Sequence, residues 1–272
     1  MATEEELLAP LFDRALAGEP EPLERYLKSN SRLPGPRMNL SLAMAVGRVA
    51  GRMAARPGAE ESLESVLDRW AATPVEQAPP NDPGEILPAV APLAYGQVAV
   101  TRPEWWDDEL AKLRRSASDA RWRVRELVAA GLQTMLAANW DRTLAALRSW
   151  VADGRPLEVR AAAAAVAEPP LLDDPDRGQD ALAIQDAAVG VLAAVPPVDR
   201  RNDDVRVLRR GLGYTVGVAV ASVPEPGTRL LLRMATSGDP DQTWVVRENL
   251  KKARLRRIPE VSTSVGAVLG DG

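Results

Sequence analysis

Asp241-Gln242-Thr243-Trp244-Val245-Val246-Arg247-Glu248 repeats the frame of Asp119-Ala120-Arg121-Trp122-Arg123-Val124-Arg125-Glu126, which is D-x-x-W-x-V-R-E in both places. Two weaker echoes between them keep only the Val-Arg step, at Val159-Arg160 and Val205-Arg206. The arginines stand at 125, 160, 206 and 247, with spacings of 35, 46 and 41 residues. A near-fixed period of this length marks stacked helical hairpins, none of which can bury its apolar face alone. The repeat predicts an all-α chain, a right-handed α-solenoid of helical hairpins. Composition agrees: Ala, Leu, Val and Arg dominate, aromatics are 4%, and Ala, Leu and Arg enter helices at little cost.

On a helix the motif divides its labour. Asp119 stands where a carboxylate accepts from the exposed N–H groups of a first turn. Val124, Leu127, Val128, Gly131, Leu132, Met135 and Leu136 step by three and four and form the packing face. Arg125 lies about 100° from Val124 and flanks that face. From there its guanidinium is placed to grip the capping Asp of a neighbouring hairpin through two parallel hydrogen bonds. This arrangement resembles the Asp/Arg ladder of HEAT repeats. The resemblance covers about residues 119–257 and implies ladder roles for Asp119, Arg125, Arg160, Arg206, Asp241 and Arg247. Arg160 departs from it, because Pro156-Leu157-Glu158 holds no Asp in the matching place. The ladder is expected to break there.

Trp122 and Trp244 sit about 200° round the helix from the motif's valine, opposite the apolar stripe. Each either packs over the preceding hairpin or stands exposed on the concave face, open to a ligand or a base. The last repeat helix is expected over 241–257. On it Arg247, Lys251 and Arg254 follow at spacings of four and three, a cationic ridge of the kind that lines phosphates. Glu248 is placed to pair with Lys252. Trp122, Trp244, Arg247, Lys251 and Arg254 are therefore the candidate binding residues.

Net charge is -4, but its distribution is polar. Residues 60–109 carry eleven acids against Arg69 and Arg102, whereas 224–258 carry eight bases against four acids. The acidic stretch suits a basic partner and the 229–257 stretch an acidic one, although either is also an ordinary solvated helix face. The chain contains neither His nor Cys. That removes disulfides, thiolate nucleophiles, serine–histidine triads and H-E-x-x-H zinc sites. No cofactor, metal or catalytic set is expected. The acidic opening Met1–Glu6 is unlike a signal peptide, and the longest apolar run, Leu212–Val223, is shorter than the about 20 residues a membrane helix takes. These features point to a cytoplasmic protein that does not enter a membrane.

Along the chain, the expected domains are an irregular helical cap region over 1–101, regular repeats over 102–258 and a tail over 259–272. Thr3, and Asn39 or its neighbours, are expected as helix caps. The loop Leu33-Pro34-Gly35-Pro36-Arg37 is stiffened by its two prolines; it serves either as an elbow between helices or as a rigid mount for Arg37. Pro88 and Pro92 are expected to split or kink the apolar run 85–101. The run 213–220 favours a strand by propensity, and only the repeat period makes it helical. Trp105-Trp106-Asp107 is similar to the Trp-Trp-Asp run of AlkD-like DNA glycosylases, which are HEAT-like proteins. That family's catalytic Asp follows three residues later, where this chain has Leu110, so Asp108 or Glu109 would have to substitute. Repeat solenoids present extended concave surfaces. The sequence accordingly points to a non-catalytic scaffold for another macromolecule, in the first place a protein. The alternative is a nucleic-acid-binding relative of the AlkD-like proteins.

Overall fold

The computed structural model describes residues 3–270, with Ser262 described by its backbone alone; Met1, Ala2, Asp271 and Gly272, at the ends of the cap and tail regions, lie outside the described residues. It is all-helical, with no strand among the described residues. The chain forms two compact units, Met1–Trp140 and Asp141–Gly272. The compositional boundary at 101/102 lies inside the first unit.

The first unit contains α1 (Glu4–Leu16), α2 (Glu21–Asn30), α3 (Leu40–Ala54), α4 (Glu60–Ala71), α5 (Ile86–Thr101), α6 (Trp106–Ser116) and α7 (Trp122–Ala138). Thr3 caps α1 in a reciprocal box with Glu6, and Asn39 caps α3 by accepting from the Leu42 amide. Both caps match the sequence expectation. The organising element is α5, which packs chiefly between α3 and α7 and also touches α4 and α6. It is apolar on every side, as a fully surrounded helix must be. Of the two expected outcomes, a split or a kink, the split does not occur: the prolines do not divide the helix. Pro88 falls in the first turn, where amides lack helical partners anyway. Pro92 lies inside the helix, where it removes a backbone bond at a cost of about 3 kcal/mol that packing on all sides offsets. Where α5 meets α7 the backbones nearly touch: a Cβ on Gly96 would lie 2.4 Å from the Gly131 carbonyl oxygen.

The second unit takes in α8 (Trp140–Ala152), α9 (Pro156–Ala165), α10 (Pro175–Ala194), α11 (Asp203–Ser222), α12 (Pro224–Ala235), α13 (Pro240–Leu250), α14 (Ala253–Arg256) and α15 (Pro259–Leu269). The long α11 is its centre and packs against α9, α10, α12, α13 and α14. Its β-prone run is helical throughout. A second internal repeat marks two of the turns. Gly154-Arg155-Pro156 and Gly238-Asp239-Pro240 each place a glycine at positive φ (72° and 74°), then an extended residue, then proline as the first residue of the next helix. Only glycine takes that conformation without strain, and proline's fixed φ suits a helix start.

One expected boundary differs. The helix predicted over 241–257 stops at Leu250, and the extended Lys252 separates it from the four-residue α14. The two copies of the tryptophan frame also sit differently. In the first, Asp119 lies outside the helix and accepts from the Arg121 amide at 2.7 Å. In the second, Asp239 is the cap and Asp241 is already inside α13.

Candidate functional site

The loop between α2 and α3 is tied at both ends and in its middle. Its ends are tied by the Asn39 amide, which donates to the Ser31 carbonyl at 2.9 Å, and by Asn39 Nδ2, which donates to the Asn30 carbonyl at 3.0 Å. Its middle contains a cis Leu33–Pro34 bond and is held at Gly35. There the amide donates to Asn81 Oδ1 (2.8 Å), and the carbonyl accepts from Arg123 Nη2 (2.9 Å). Arg123 is itself buried, with Nη1 2.9 Å from Glu85 Oε2. The same carboxylate oxygen accepts from the Asn81 amide at 2.7 Å.

This frame supports a groove of about 500 Å³ whose walls include Arg32, Arg37, Met38, Leu40, Trp122, Glu126 and Leu127. Trp122 opens α7 and is 48% exposed, while the Arg123 guanidinium lies 4.5 Å from its ring centroid. Leu40 is 58% exposed, and Met44, one turn along α3, is 40% exposed. Arg32 and Arg37 are exposed and have no ion-pair partner among the described residues. Large apolar residues left in solvent beside one another are a more informative feature than single exposed ones.

In the second unit, Trp244, Arg247 and Lys251 border a groove of about 550 Å³. Trp244 is only half-exposed, lying against Gly213 with the Arg209 guanidinium 4.0 Å from its ring. The two tryptophans thus take different places, Trp122 about half in solvent and Trp244 mostly covered by a neighbouring helix. Arg254 does not continue a ridge. With the helix interrupted, it turns to Tyr214, donating from Nη2 to the hydroxyl at 2.8 Å with its guanidinium 4.6 Å from the ring. Glu248 pairs with Lys251 at 2.5 Å, where the sequence pointed to Lys252. Sequence reasoning missed Tyr214, which is 49% exposed and follows Arg206 and Arg210 at intervals of four on α11.

The ladder residues are placed as follows. Arg125 Nη1 donates to the carbonyls of Asp119 (2.5 Å) and Ala120 (2.9 Å), while the Asp119 carboxylate chelates the buried Arg121. Asp241 receives Arg209 at 2.8 Å and Arg200 at 3.3 Å, so the brace from α11 to α13 is made one turn beyond Arg206. Arg206 pairs with Asp203 at the surface. The Arg160 stem lies against Gly211, and Arg247 is exposed. At Asp239, burial works against the charged form. The Arg200 guanidinium and the Gln242 and Asp241 amides nonetheless hold its carboxyl below the ordinary carboxylate range.

In the Trp-Trp-Asp region Trp105 is partly exposed beside the Arg102 guanidinium, 5.5 Å from its ring centroid. Trp106 is buried, Asp107 and Asp108 are exposed on the first turn of α6, and Glu109 is fully buried. Glu109 Oε1 lies 3.0 Å from Lys112 Nζ, which also contacts Glu64 and lies 3.5 Å from Asp68. Burial, then the neighbouring Glu64 charge, push the Glu109 carboxyl up to about 8, with Lys112 opposing. Tyr95 donates to Asp68 at 2.9 Å, and burial raises its phenol far above the usual range. Among the described residues no group of acids is placed to hold a metal ion, and no helix is long and apolar enough to cross a membrane. No protein-family model matches the chain, and no curated protein matches it either.

Proposed function

We propose that this chain is a HEAT-like α-solenoid acting as a non-catalytic scaffold that binds another protein. The observation that carries the reading is the exposure of Leu40 and Trp122 on a groove whose loop is held by the buried Arg123, with Met44 exposed one turn along α3. A preformed surface with an aromatic anchor pays little ordering cost on association, and tryptophan is among the residues that dominate interface energies. The repeated helix frame and the repeated Gly-x-Pro turn support the solenoid part of the reading. The test is cross-linking of the tagged full chain, at its native level, inside its own cells. A defined protein partner in fixed proportion is expected. Recovery of the chain alone would overturn the scaffold reading.

A second reading, nucleic-acid binding, is favoured by one separate observation. Arg206, Arg210 and Tyr214 line an exposed face of α11, with Arg254 and Lys252 within cation–π distance of the Tyr214 ring. Cations around an open aromatic ring suit stacked bases and their phosphates. Anisotropy of labelled single strands and duplexes at two salt concentrations tests it. Affinity should fall steeply with salt and be lost in Tyr214→Ala combined with Arg254→Glu. Absence of binding at low salt would remove this reading, and with it any kinship in function to AlkD-like proteins.

A further inference from the structure

We infer that the groove of the first unit takes a short acidic–apolar segment of a partner protein, in which a carboxylate side chain lies within about one helical turn of a large apolar one. The inference rests on the scaffold reading and names the chemistry of what the scaffold holds. Charge sets the first half of the specificity. Arg32 and Arg37 reach the groove from opposite ends of the loop without an ion-pair partner among the described residues, and Glu126 is the one acid on its walls. Two guanidinium groups against one carboxylate leave the groove positive, and a guanidinium grips a carboxylate through two parallel hydrogen bonds.

Shape sets the second half. The exposed apolar surface does not end at the groove. It runs from Trp122 across Leu40 to Met44, one turn further along α3. The three side chains follow the start of α3 beyond the groove's own lining, the path of a chain laid across the helix end. Pre-organisation favours the same occupant. Arg123 stacks beside the Trp122 ring and at the same time fixes the Gly35 carbonyl, so the aromatic wall and the arginine loop are set by one buried side chain. A segment docking here finds its anchor already in place and loses little of its binding energy to ordering the receptor.

The experiment is selection of random twelve-residue peptides displayed on phage against the full chain, followed by anisotropy of the selected peptides as free labelled molecules. Enriched peptides should join Asp or Glu to Leu, Phe or Trp within four positions. Arg37→Glu and Trp122→Ala should each weaken binding at least tenfold, and Val198→Asp, a lone exposed apolar residue of the second unit, should leave it unchanged. Arg37 and Trp122 are exposed enough for the fold to survive their loss, and equal melting temperatures would verify this; Arg32→Ala serves as the milder variant. Selection of basic or uncharged peptides, no enrichment, or equal binding by Arg37→Glu and Trp122→Ala would overturn the inference. The two readings fail separately. A partner cross-linked in cells but retained by both groove variants sinks the groove and leaves the scaffold, whereas no partner in cells sinks the scaffold whatever the peptides do.

Discussion

Arg123 Nη1 lies 2.9 Å from Glu85 Oε2, with both side chains buried, and this pair joins the start of α7 to the turn that leads into α5. Taking two charges out of water cancels much of their attraction, so an intact pair of this kind adds modestly to stability. Removing one partner is different, because the other charge is stranded in the interior. Glu85→Ala should cost about 3–5 kcal/mol in urea unfolding. It should also speed hydrogen exchange at the Gly35 amide, since Asn81 and Arg123 both position that residue. Unchanged exchange at Gly35 would show that the loop does not depend on the pair.

Gly96 and Gly190 make opposite predictions for the same substitution. A Cβ on Gly96 would meet the Gly131 backbone at 2.4–2.9 Å, and backbone cannot swing aside as a side chain does. Gly96→Ala should therefore force α5 and α7 apart and destabilise the first unit by about 3 kcal/mol or more. Gly190 lies inside α10, four residues before its end, is exposed, and would bring its Cβ near nothing within 4 Å. There alanine should stabilise by about 0.5–1 kcal/mol through helix propensity and a less disordered unfolded chain. Thermal unfolding of both variants checks the pair of signs, and a tolerated Gly96→Ala would mean the crossing is looser than the structure shows.

Glu109 gives the fold a pH dependence of stated sign. Its folded carboxyl titrates at about 8, against an ordinary value of 4.5, because burial and the Glu64 charge disfavour ionisation. Lys112 and Asp68 face the same cluster, with Tyr95 bonded to Asp68. A raised carboxyl means that between these values the folded state holds a proton the unfolded state has lost. Stability from this group is full below about pH 4.5 and declines as pH rises to about 8. Glu109→Gln should flatten the fall in melting temperature between about pH 5 and 8. An unaltered slope in that variant would assign the dependence to other groups.

Residues 119–138 and 203–222 show what was legible in the sequence and what was not. Apolar steps of three and four predict the helices there, and the period correctly overrides the strand preference of 213–220. The break after Leu250 carries no local signal, since Lys251-Lys252-Ala253-Arg254 suits a helix at every position. Tertiary packing makes the break, by burying Leu255 beside Gly217 on α11. The groove was half legible. The stiff loop around Arg37 and the unusual Trp122 were visible, but Arg123 joins Gly35 and Glu85 over separations of 88 and 38 residues, and no local pattern encodes such contacts.

Asn249 is a buried polar link between α13 and α11, additional to the Arg209–Asp241 ion pair. It is fully buried; its Oδ1 accepts from the Gly217 amide at 2.7 Å, and its Nδ2 donates to the carbonyls of Leu212 (2.9 Å) and Val245 (2.8 Å). Asn249→Ala removes all three bonds and leaves a small void, which should cost about 2–4 kcal/mol. Asn249→Asp separates the bonds from the volume, because the shape is kept while a donor becomes an acceptor. An ionised aspartate there would face two carbonyl oxygens without a proton to offer, so the variant should be least stable near pH 8. At about pH 4 the protonated acid can donate again, and much of the loss should be recovered. Unfolding of the wild type, Asn249→Ala and Asn249→Asp at both pH values decides the matter. If Asn249→Asp matches the wild type at pH 8, the side chain serves by filling space, and the seating of α13 must come from Val245, Val246 and Leu255, the apolar residues buried beside it.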